Sequence, residues 1–213
     1  MPILASTILG STRTTLVDED EVTWSGADLL QCLNEAQRLI CQVKRDAYVR
    51  RGNVALAVGT NQSLPEDGLA VLDFDHNVAS GRVVTMVDKD LLDEANRWWP
   101  AATREADAQH WCADPRDPKR FAVTPPNDGT GVLEGIYGAI PPEITDPGEP
   151  IGLGDNYESP LIFLVLSRAY AMNTKRFDTA KSDNYLQRAM ALIGTGSQSQ
   201  VAVAPRVSES QGS

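Results

Sequence analysis

His76 and His110 are the only two histidines, and each stands near groups that could do chemistry with it. His76 closes the run Asp73-Phe74-Asp75-His76. Two carboxylates and an imidazole could bind a divalent cation and activate water, the chemistry of a metal-dependent hydrolase. The run matches no metal-ligand spacing, so a polar strand or loop face is the better reading. His110 lies between Gln109 and Trp111 in an expected strand, where a satisfied or solvent-facing ring outweighs a general base. Glu134 and Glu143 would make an acid–base pair only if the fold brought them together, and nothing in the sequence does so. Gly152-Leu153-Gly154 lacks the third glycine and the preceding strand of a dinucleotide fingerprint. There is no P-loop and no G-x-S-x-G elbow. The sequence therefore points away from catalysis and calls for no cofactor and no metal.

Composition agrees with a scaffold. The net charge is −10, and it is uneven: residues 1–52 carry seven acids and six bases (−1), whereas 53–194 carry 21 acids and 12 bases (−9). Such a body disfavours wrapping by nucleic acid, which needs clustered Lys and Arg. It does not forbid a surface past which DNA slides without sticking. Cys32, Cys41 and Cys112 are odd in number and form no CxxC, so they are expected as reduced thiols. No signal-peptide pattern opens the chain, and its longest apolar run, Leu161–Leu166, is too short for a bilayer, so no membrane is expected.

These residues need elements to hold them. Residues 1–24 are rich in Ser and Thr and read as an extended arm with little helix. Ser25, with Asp28 three residues on, is the N-terminus of a helix with an apolar seam at Leu29, Leu33, Ala36, Ile40, Val43 and Ala47. Asn34, Arg38 and Arg45 fall on its far side, and Gly52 can end it. Strand patterns follow at 53–58, 82–87, 106–112, 120–124 and 132–137, with turns at 59–63, 65–68, 114–119 and 125–131. The last three strands suggest an antiparallel meander. Asp88 caps a short helix, and the proline-rich stretch 141–150 reads as a linker. Two helices close the pattern: 155–173, apolar without a break over Leu161–Leu166, and one from Asp178 that Gly194 stops. The first has no solvent face there and must be buried in a core or in a subunit interface.

The expected class is α+β: a helical bundle from 25–52 and 151–194, an inserted antiparallel β-rich lobe over 53–150, and extended arms at 1–24 and 195–213. The candidate protein-interface residues are Leu33 and Ile40 on the first helix, Leu161 and Leu164 on the apolar one, Trp98 and Trp99, and Val201, Val203 and Arg206 in the C-terminal arm. Adjacent indoles cannot both face one core from a regular helix. One of them covers a neighbour or plugs the helix end.

Several segments together resemble the head–tail adaptor proteins of short-tailed phages. They are Trp24–Leu30 with Leu33–Arg38; Ser63-Leu64-Pro65-Glu66-Asp67-Gly68; Gly81-Arg82-Val83-Val84 with Val87–Asp93; His110–Pro118 with Phe121 and Pro125-Pro126; Tyr137–Pro141; and Arg168-Ala169-Tyr170. Cys112 and Ala113 depart mildly from the family's hairpin. The resemblance covers about residues 24–194. It implies a virion protein at the head–tail junction, made in the host cytoplasm and assembled as a homo-oligomeric ring, usually dodecameric. Its partners would be the portal protein and a tail tube or nozzle protein, with DNA only as passing cargo. A head-closure or tail-tube subunit is the alternative within this class. A metal-dependent hydrolase using Asp73, Asp75 and His76, and a DNA-binding packaging factor, are the rivals outside it.

Overall fold

Ser25 caps a helix as its chemistry requires. In a computed structural model, which describes residues 2–114 and 116–201 (the backbone alone for 195–201), α2 runs Gly26–Val43. The Asp28 backbone N–H donates to Ser25 Oγ (3.2 Å), and the Ser25 hydroxyl donates to the Asp28 carboxylate (2.7 Å). Leu29, Leu33, Ala36 and Ile40 of the seam are fully buried. The helix stops well before Gly52, because Val49–Ala55 forms β1 and pairs with a later strand. Arg50 and Arg51 lie on β1 and meet Asp67 and Asp75.

The described residues form two compact units, one up to Gln37 and from Glu143 onward, the other Arg38–Pro142. In the first, the expectation of an extended segment over 1–24 is corrected: Ala5–Leu16 is helix α1. Ala5, Ile8, Leu9, Thr12 and Leu16 make its buried stripe. Leu4 offers no side-chain cap. The stretch read as a linker caps the helix instead: Ala5 N–H donates to the Glu149 carbonyl (2.9 Å) and Ser6 N–H to that of Pro147 (2.7 Å). At the other end the Arg176 guanidinium donates to the Leu16 carbonyl (2.7 Å).

Helix α4 spans Glu158–Ala171 after a 3-10 turn at Asp155–Tyr157, with Pro160 in its first turn, where its missing N–H costs nothing. Leu161, Leu164, Val165 and Leu166 are buried. The Trp24 indole N–H donates to the Ala169 carbonyl (2.9 Å) and its ring meets Tyr170 edge-on. Asn34, read as solvent-facing, is buried and holds the Ile144 backbone through two 2.9 Å bonds. Helix α5 spans Thr179–Val201 and runs through Gly194, which was expected to stop it. A helical glycine costs only about 1 kcal/mol, a tax rather than a barrier.

The second unit holds two sheets. One has the order β1-β7-β3, with β3 at Gly68–Asn77 and β7 at Val132–Ala139, all antiparallel. The other has the order β2-β6-β5-β4: β2 Gly59–Ser63, β6 Arg120–Asn127, β5 His110–Ala113, β4 Thr85–Met86. Three expectations are corrected. The expected turn at 59–63 is β2. The meander breaks after β6, because β7 joins the other sheet, and β4 pairs with β5 in parallel. The turn expected at 125–131 begins late, since Pro125 and Pro126 lie inside β6. They need no N–H there: the Thr124 and Pro126 carbonyls accept from Gln109 and Glu105.

Between the sheets Phe74 packs on Trp111 and Phe121, with centroids 5.2 and 4.6 Å apart. A Cβ on Gly135 would lie 2.9 Å from the Phe74 ring, so the ring fixes that glycine. Two buried amides fasten the loops. Asn77 bonds both the N–H and the carbonyl of Ala108 (2.8 Å each), and Asn127 reaches the Glu105 and Ala106 carbonyls and the Gly129 and Gly131 N–H groups. Among the described residues, five α-helices and two sheets make the class α+β, as read.

Candidate interaction surface

Asp73, Asp75, His76 and Glu134 lie on one sheet, the one of β1, β7 and β3. Asp75 pairs with Arg51 at 2.8 Å, and His76 Nδ1 stands 3.3 Å from the Glu134 carboxylate. Asp73 accepts the N–H of its neighbour Phe74. This is a cross-strand ion-pair lattice on a half-exposed face, where charges steady register. Among the described residues no three His, Cys, Asp or Glu converge as a metal site. His110 Nδ1 is 2.6 Å from Thr85 Oγ1, joining β5 to β4. The thiols of Cys32 and Cys41 are buried, and desolvation pushes each up to about 11, which makes them poor nucleophiles.

The candidate interface residues divide sharply. Leu33, Ile40, Leu161, Leu164 and Trp99 are covered by their own chain. Of the two places open to Leu161–Leu166, it takes the core. Contact with another chain through these five side chains would require this one to open. Val201 is the last residue of α5, and Val203 and Arg206 lie outside the described residues.

Trp98 behaves differently, with 78 % of its surface exposed. The adjacent indoles are separated by a 3-10 turn at Trp99–Ala101, which sends Trp99 inward, where its N–H donates to Asp93 (2.8 Å). Before them comes α3, Lys89–Ala95, capped by Asp88 as expected and without a single buried residue. Lys89 and Asp93 pair at 2.7 Å across one turn. The Lys89 hydrogen bond, and after it that of Trp99, holds Asp93 below the ordinary carboxylate value. Val83, Met86 and Leu91 are each 60–70 % exposed. From Val83 to Trp98 the chain thus presents large apolar side chains among acids. Hydropathy alone could not distinguish this stretch from core; the acidic residues Asp88, Asp90, Asp93 and Glu94 were the available signal.

Large apolar groups exposed together on a folded chain suit contact with another molecule. The model of one family, SU10 adaptor protein, matches residues 4–208. The chain belongs to the SU10 adaptor protein family. No curated protein matches it. As an SU10 adaptor protein it is a phage structural adaptor, and the family is not one of enzymes. The segments that carried the resemblance are turns and caps of the adaptor fold: Gly68 N–H closes a turn on the Pro65 carbonyl, and Asp88 accepts the Asp90 N–H. No helix among the described residues is long and apolar enough to cross a membrane.

Proposed function

We propose that this adaptor forms a homo-oligomeric ring, a dodecamer by family resemblance, at the head–tail junction of a short-tailed phage. The ring joins the portal to a tail tube or nozzle protein and surrounds the channel through which DNA passes. The family match over residues 4–208 carries this reading. In it the helices of the first unit pack as a bundle beside those of neighbouring copies. The β-rich unit turns toward the tail and offers Trp98, Leu91, Met86 and Val83. The segment with Val203 and Arg206 engages the portal. A body of net charge −10 repels phosphate, so DNA moves past without adhering.

Sedimentation of the protein alone and mixed with portal rings tests the reading. A joint complex with a fixed number of adaptor copies is expected. A chain that stays monomeric beside the ring would sink it. Deleting residues 202–213 should leave the melting temperature unchanged and abolish portal docking. Unaltered docking after that deletion would count against the C-terminal segment.

A further inference from the structure

The β-rich unit carries a hollow of about 410 Å³ beside the second sheet. Its floor is made of small side chains, Cys112, Ala113 and Ala122, from β5 and β6. Lys89, Arg116 and Arg120 stand around it. The one acid among its lining residues, Asp114, already accepts the Arg116 backbone N–H at 2.9 Å. Lys89 and Arg120 have partners in Asp93 and Asp117, while among the described residues the Arg116 guanidinium meets no carboxylate. The lining itself thus carries three cations and one acid on a chain of net charge −10, and Asp93 and Asp117 beside it each hold one of those cations.

The complementary charge lies in the helical unit. Between α1 and α2 the turn Val17-Asp18-Glu19-Asp20-Glu21-Val22 is exposed except at Asp18. Val17 is 77 % and Val22 84 % exposed, and Glu19 and Asp20 are exposed between them. The turn is held from below. The Asp18 carboxylate accepts N–H groups of Thr23 (3.1 Å) and Trp24 (2.9 Å), and Glu21 pairs with Arg13 at 2.8 Å. Val17 and Glu21 sit at φ 52° and 57°, a left-handed conformation that non-glycine residues adopt only when their surroundings impose it. Two valines flanking two free carboxylates, fixed in advance, lose little entropy on docking.

We infer that the acidic turn Val17–Val22 of one copy seats in the cationic hollow of a second copy, with Glu19 and Asp20 against Lys89, Arg116 and Arg120 and a valine on the Cys112–Ala122 floor. The inference rests on the ring reading above and names its contact. Turn and hollow are different surfaces, so the contact is head-to-tail. It repeats from copy to copy, as ring closure requires.

Self-association of the full chain, followed by sedimentation with charge-reversed variants, tests it. Glu19→Lys with Asp20→Lys should weaken association about tenfold, as should Arg116→Glu with Arg120→Glu. All four changes together should recover most of the loss, and added salt should weaken the wild type most. The side chains are exposed, so melting temperatures should stay near the wild type in every variant. Wild-type association in either double variant, or no recovery in the quadruple one, overturns the pairing and leaves the ring reading intact. Loss in the hollow variant alone means that the hollow takes some other acidic segment, and it also overturns the pairing. A wild-type chain that never self-associates, alone or on a portal ring, overturns the ring reading and this contact together.

Discussion

Helix α4 and the stretch from β4 to Trp98 are both rich in large apolar side chains, and the protein treats them in opposite ways. In α4, Leu161, Leu164, Val165 and Leu166 are buried, and Trp24 is bonded onto its C-terminal turn. In α3 no residue is buried, and Met86, Leu91 and Trp98 on either side of it or within it face solvent. The first arrangement supplies stability, at about 1.5–3 kcal/mol for each buried aliphatic side chain. The second supplies none to the isolated chain and is useful only to something outside it. Apolar content says how strongly a side chain seeks cover, and the contrast shows that it does not say whose cover it finds.

The largest expected effect lies in α4. Leu164→Ala should cost about 2–5 kcal/mol in chemical denaturation, from lost transfer energy and the cavity left behind. A cost near zero would mean that α4 is not an interior helix and would erase the contrast. Next comes Trp24→Phe, which removes the indole N–H from the Ala169 carbonyl. A loss of about 1–2 kcal/mol is expected by the same measurement.

A smaller effect is read against pH. The Trp24 and Thr23 backbone N–H groups hold the Asp18 carboxyl below its ordinary value of 3.8. A lowered folded value means that the stability from Asp18 is fully present above 3.8 and drains away as pH falls through the folded value. Asp18→Asn should therefore be less stable than the wild type at neutral pH and converge with it in acid. Parallel curves would show that the carboxylate charge does not matter there. Smallest of all, Leu91→Ser with Trp98→Ser should change stability by less than about 0.5 kcal/mol while reducing assembly with the tail-side partner. A large stability loss would place these side chains with α4 rather than apart from it.

Much of this was legible in the residues. The capping box at Ser25, the Asp88 cap and the burial of Leu161, Leu164, Val165 and Leu166 all follow from local chemistry, because the groups involved are neighbours in sequence. Three kinds of feature were not. Helix α1 hid behind Ser and Thr, whose hydroxyls compete for backbone partners; Thr12, Thr14 and Thr15 each bond back to a carbonyl four residues earlier. Only the stripe Ala5, Ile8, Leu9, Thr12 and Leu16 betrayed it. The departure of β7 to the other sheet depends on pairing with β1 and β3, whose register no local pattern sets. The clamps at Asn34, Asn77 and Asn127 look like surface amides until the carbonyls they hold are brought beside them.

The capping of α1 by Pro147 and Glu149 sets an order on the birth of the molecule. The carbonyls that complete this helix leave the ribosome long after the helix itself, once the whole intervening β-rich unit has been made. A nascent chain thus carries its first helix unfinished while the inserted unit folds, and a product truncated before residue 147 has no means of closing it.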